Sequence, residues 1–118
     1  MIEIKNPEVL DSLLGWLYHH KLRKLMLWTA KRFRIFITEG HREKRHPNDL
    51  HGTLPIRAID IRTRIYSDPQ KIADEINENW IYDPKRPHMK CAVYGDQNHL
   101  DHIHLQVHPT TTFIGTNE

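Results

Sequence analysis

The chain has 118 residues, 38% hydrophobic and 27% charged, which suits one domain of a size that rarely needs disulfides or metals to hold its fold. A formal net charge of +2 is too small to argue for a nucleic-acid partner, and no apolar run is long enough for a membrane span. The single cysteine, Cys91, excludes an internal disulfide and a cysteine-based zinc site, so any metal must be held by histidine and carboxylate.

The first residues, "MIEIKNPEVL", lack the basic-then-apolar layout of a signal peptide, so synthesis in the cytoplasm is expected. A helix start follows, with Asn6 as cap, Pro7 at the first helical position and Glu8 in the first turn. Leu10, Leu13, Leu14 and Leu17 share one face, and Leu22, Leu25, Met26 and Trp28 continue it less cleanly. Gly15 and "HHK" imply two helices, or one with a break, over 1–33. Trp16 and Trp28 read as core, and His19 and His20 as helix surface.

"FRIFITEG" is expected to be a strand, with Ile35 and Ile37 alternating against Phe36 and Thr38. Residues 40–54 are polar and aperiodic, a long loop of the kind that often carries function. "IRAIDIRTR" returns to alternation and puts Asp60 on a polar face. "SDPQKIADEINENW" is a second helix, capped by Ser67 or Asp68, with Ile72, Ile76 and Trp80 along one side. "KCAVYG" and "DHIHLQVH" complete the strands, and the threonine-rich tail from Pro109 is expected to fray. These elements predict a single α+β domain over 1–118, a small antiparallel sheet packed with N-terminal and central helices.

The stretch "HLDHIHLQVHP" holds four of the ten histidines. On a strand, His102, His104 and Gln106 share one face, while Ile103, Leu105 and Val107 point to a core. The plain alternative is a solvated polar face that happens to be histidine. Asp101 is placed to orient an imidazole, to act as a base or to cap the turn. Asp60 offers a matching carboxylate, although a single aspartate between isoleucines also suits an ordinary amphipathic strand. With His51 at the end of the long loop, two histidines and one aspartate from separate elements form a recognised catalytic zinc set with one position left for water. Zinc would bring that water's pKa towards neutrality, and a nearby carboxylate would accept its proton.

The segments "ITEGHR", "HGTLPIRAIDIR" and "DHIH" occur in an order that resembles the zinc D-alanyl-D-alanine and L-alanyl-D-glutamate peptidases. That family includes the VanX and VanY dipeptidases and many phage endolysins, and its fold is shared with the hedgehog signalling domain. The resemblance covers roughly residues 34–108 and implies a zinc peptidase acting on peptidoglycan peptides. It assigns zinc to His51, Asp60 and His104, makes Asp101 the general base and later acid, and gives Arg42 the scissile carbonyl or a substrate carboxylate. His102 would point at the site without ligating. Here His51 and Asp60 are spaced H-x8-D rather than the family's H-x6-D, so two residues, "LP", must bulge if His51 ligates, and His46 is the fallback. His41 would support the Arg42 turn.

The implied setting is a phage or prophage lysis or virion enzyme that reaches the cell wall by another exit route, monomeric, without nucleic acid or membrane as partner. Two other functions compete. An HUH-type single-strand nuclease also shows "HxH" on a strand, but no tyrosine follows Tyr94 to attack DNA. A catalytically inert zinc module of the same fold would need neither Asp101 nor Arg42. Cys91 reads as a small buried hydrophobe. His88, His99 and His108 flank turns without ligand spacing.

Overall fold

The computed structural model describes residues 6–8, 17–40, 44–96 and 101–115. The apolar face expected from Leu10, Leu13 and Leu14, the Gly15 break and Trp16 lie outside them, as do His41, Arg42 and His99. The first complete helix, α1, runs His20–Arg32. It buries Leu22, Leu25, Met26, Trp28 and Thr29 along one stripe, as the helical period requires. His19 caps it by accepting from the Lys21 N–H through Nδ1, and Lys31 and Arg32 suit the negative end of the helix dipole. The backbone turns extended at Phe33 and enters β1, Ile37–Glu39.

After a 3₁₀ turn at Leu50–Gly52 comes β2, Ala58–Arg62, then α2, Pro69–Asn79. Asp68, of the two candidate caps, accepts from the Lys71 N–H, and Pro69 opens the helix where its missing N–H costs nothing. Ile72, Ala73 and Ile76 are its buried face. Trp80, expected to extend that face, instead ends the helix in an extended conformation and starts β3, Trp80–Ile81. The last strands are β4, Ala92–Val93, β5, His102–Gln106, and β6, Thr112–Phe113.

The protein is therefore a small α+β chain whose main antiparallel sheet has the order β1-β2-β5-β4. Ile59 pairs with Leu105 and Ile61 with Ile103, and these four lie in one buried cluster with residues of both helices. Asp60 pairs with His104 and Arg62 with His102, which puts the polar side chains of both central strands on the opposite face. Asn77 of α2 exchanges two bonds with the backbone of Ala92, at 2.8 and 2.9 Å, and so covers part of the edge strand β4.

Two expectations are corrected. The first strand is shorter than "FRIFITEG" suggests, because its register with β2 shifts between Ile37 and Glu39 and leaves Phe36 and Ile37 exposed. The tail does not fray over its described length. Thr111 is buried and donates to the Tyr82 carbonyl at 2.7 Å, and Phe113 packs its ring against Trp80 and Trp28. β6 pairs with β3 to form a separate two-stranded sheet.

Candidate metal centre

Three elements deliver three ligand atoms to one point. The 3₁₀ turn brings His51, β2 brings Asp60 and β5 brings His104, and one ligand atom from each lies within 4.8 Å of the others. His51 Nε2 is 3.2 Å from Asp60 Oδ1, and His104 Nδ1 is 3.1 Å from the same oxygen. The two imidazole rings meet nearly edge to face, their centroids 5.1 Å apart.

Between His51 and Asp60 the chain runs out to the surface at Leu54 and Pro55. Leu54 stands out from the surface at 74% exposure, Pro55 is exposed beside it, and the chain rejoins the core at Ile56. His51 is buried to 1%. Asp49 holds it there: one carboxylate oxygen accepts the His51 N–H and the other the Arg45 N–H, both at 3.1 Å. His46, the fallback ligand, lines the same cavity but is exposed and outside the three-residue group.

Hydrogen bonds on the far side of each ring decide which nitrogen faces the centre. His51 Nδ1 is 2.8 Å from the Gly40 carbonyl, which only accepts, so Nδ1 carries the proton and Nε2 turns its other position inward. Gln106 donates its amide N–H to the Lys90 carbonyl at 2.8 Å, which aims Oε1 at His104 Nε2, 3.0 Å away. His104 Nε2 is thus the protonated nitrogen, and Nδ1 faces Asp60. Two lone pairs and a carboxylate oxygen converge, and three acceptors repel unless positive charge stands between them. Either both rings take a second proton, or one metal ion replaces those protons.

The same balance governs Asp60. Burial pushes its carboxyl up, but hydrogen bonds from His104 and His51, with the charge on both rings, outweigh burial and hold it well below the usual carboxylate range. Two histidines and a carboxylate on separate rigid elements, with outer hydrogen bonds fixing both rings, suit Zn²⁺ in its common ligand set.

Asp101 and His102 stand at the mouth of this centre. Their side chains meet at 2.7 Å between Asp101 Oδ1 and His102 Nδ1, and His102 Nε2 reaches to 3.8 Å from Asp60 Oδ2. The bond from His102, then its charge, lowers the Asp101 carboxyl from its ordinary value, although the side chain is 94% exposed. His102 lies outside that three-residue group. The cavity over the centre holds about 670 Å³, and Glu39, Arg45 and Asn48 contribute further polar groups to its walls.

Gln106, Asp49 and the Gly40 carbonyl are the supporting groups that sequence reasoning assigned no role. Strand alternation already puts Gln106 on the face of His104 but does not show their contact, and a backbone carbonyl leaves no such signal. Cys91 is buried, and burial pushes its thiol up to about 12, which suits packing and not nucleophilic attack. Among the described residues no helix is long and apolar enough to cross a membrane. Compared with known proteins, the chain matches no family model, no curated protein and no solved structure.

Proposed function

We propose that this protein is a zinc-dependent peptidase of bacterial peptidoglycan peptides, with the hedgehog-like peptidase fold that its motifs resemble. The observation that carries this is the convergence of His51, Asp60 and His104, each ring oriented from behind, beside an ionised carboxylate. Zinc held there would supply a water acidic enough to lose a proton near neutral pH and would polarise the scissile carbonyl.

The chain's own residues do the rest. Asp101, ionised at neutral pH and open to the cavity, takes a proton from the attacking water and returns it to the leaving amine nitrogen. His102 fixes the Asp101 carboxylate through the 2.7 Å bond and stands between it and Asp60. Arg42 retains the role that the resemblance gives it, a cation for the carbonyl or a substrate carboxylate. A purely structural zinc more often has four protein ligands, whereas three are grouped among the described residues, which favours the catalytic reading over the inert module. Action at the cell wall follows from the substrate, and the lysis or virion setting is part of the same proposal.

Zinc content per chain, measured by elemental mass spectrometry after mild dialysis, is the first test. One zinc in the wild type is expected, lost in His51→Ala and in His104→Ala. Asp101→Asn is expected to retain zinc and to lose most hydrolysis of muropeptides. Wild-type protein that stays empty after zinc is added, or Asp101→Asn that cleaves as fast as wild type, would overturn the assignment.

A further inference from the structure

A second cavity, of about 610 Å³, shares no wall residue with the one over the metal centre. It forms where the chain entering α1 is stitched to the chain entering β2. The Ile56 N–H donates to the Leu17 carbonyl at 3.0 Å, and the His19 N–H donates to the Ile56 carbonyl at 2.8 Å. That junction brings His19, His20 and Arg23 to the same walls as Arg57, the residue before β2. The volume lies in the range of small-molecule sites.

The charges on these walls have one sign. Arg23 and Arg57 are half-buried, and among the described residues no carboxylate lines the cavity. His19 registers that field: burial, then the positive charge of His20, Arg57, Lys21 and Arg23, lowers its pKa. Its ring stacks on His20 with centroids 4.6 Å apart, and its Nδ1 accepts the Lys21 N–H. Nε2 is therefore the nitrogen that carries the proton of the neutral ring. Arg23 Nη1 donates to the Tyr18 carbonyl at 2.9 Å, which holds that guanidinium at the wall. Guanidinium and imidazole N–H groups are donors, and a cleft lined by one sign of charge concentrates the opposite ion.

The remaining walls are apolar. Leu54, Pro55 and Pro109 face the same cavity, and Tyr18 adds an aromatic ring. Leu54 is a large side chain that the core does not use, at 74% exposure. An inorganic ion would occupy only a small part of this volume, whereas an anion with an apolar group attached matches both kinds of wall. Two guanidinium groups and an imidazole N–H suit three oxygens better than two. A phosphate monoester brings three, with a charge of about −1.5 to −2 near neutral pH.

We propose that this cavity binds a phosphate monoester, with the phosphate on Arg57, Arg23 and His19 and its apolar group against Leu54, Pro55 and Pro109. The site does not depend on the peptidase reading. The same chemistry has two sources, a soluble ester and a lipid headgroup.

Phenyl phosphate, inorganic phosphate and benzoate are titrated calorimetrically on the full chain. Phenyl phosphate is expected to bind about fivefold or more tightly than either of the others, through the ring it buries and the third oxygen it offers. Arg57→Met is expected to weaken it about tenfold or more, the range for a charge-assisted hydrogen bond, and Arg57→Lys to recover part of the loss. Leu54→Glu, at an exposed position, is expected to weaken it by putting a carboxylate into the cavity, and it decides the matter if Arg57→Met does not fold. Cosedimentation with phosphatidylcholine vesicles only when they contain phosphatidic acid, lost in the same variants, identifies a lipid source. Calorimetric binding without cosedimentation identifies a soluble one. Binding that survives both Arg57→Met and Leu54→Glu lies elsewhere, the metal centre included, and overturns the proposal. So do equal affinities for the three probes, or neither heat nor cosedimentation.

Discussion

Asp60 stands between two isoleucines in sequence and between two imidazoles in space. Its placement was legible, because strand alternation alone puts it opposite the core. The orientation of its partners was not, since it depends on Gln106 and on the Gly40 carbonyl reached from a distant loop. Gln106 gives a test at this scale. Gln106→Leu removes the acceptor that keeps the proton on His104 Nε2, so zinc affinity is expected to fall about 10–100-fold while the fold remains, as a competition titration with a chelator would read. A second titrating group lies away from the site. Asp83 accepts from Arg86 Nε at 2.8 Å and from the Lys85 N–H at 3.1 Å, and these bonds hold its carboxyl down at about 2. A carboxyl lower in the folded than in the unfolded chain stabilises above the unfolded value. That stabilisation is lost as pH falls from about 4 towards 2. Asp83→Asn is therefore expected to be less stable than wild type at neutral pH, and the gap between their melting temperatures should close below pH 3.

The elements were legible where their periodicity was strong. The central strands, α2 and the inward face of α1 follow from alternation and from the i, i+3, i+4 spacing. Short edge elements were less so. β1, β4 and β6 each span two or three residues, too few for a period to show, and pairing with neighbours decides their bounds. "TTTF" was read as a loose tail from its position. Its β-branched and aromatic residues suit a strand, and the Tyr82 carbonyl and the Trp80 ring supply the partner. Register matters most on β5. Slipped by one residue, it would turn His102 and His104 into the core and Ile103 and Leu105 into the cavity. Leu105, fully buried against Ile59 and Ala92, locks that register. Leu105→Ala is expected to cost about 2–5 kcal/mol in a urea titration, with zinc affinity reduced at the same time.

Across the whole molecule the sheet divides two tasks between its faces: the helices cover one and the metal cavity lies over the other. The metal-free protein then carries converging acceptors or extra protons on rings that a bound ion would satisfy. Zinc at a hundredfold excess over its dissociation constant is expected to add about 2.7 kcal/mol of stability. In a chain of this length that raises the melting temperature by roughly 10 °C, reversibly with a chelator. No shift in a thermal scan with added zinc would count against the site.

His104 lies 44 residues beyond Asp60 in the chain, and β2 has no partner on its inner side until β5 is in place. On a ribosome, His51 and Asp60 therefore emerge well before the strand that completes the centre. A chain that stops short of residue 102 exposes a half-built sheet edge and two of the three residues that could hold a metal ion. Interrupted synthesis would give fragments unable to assemble the site, and the site would form only as β5 closes the sheet.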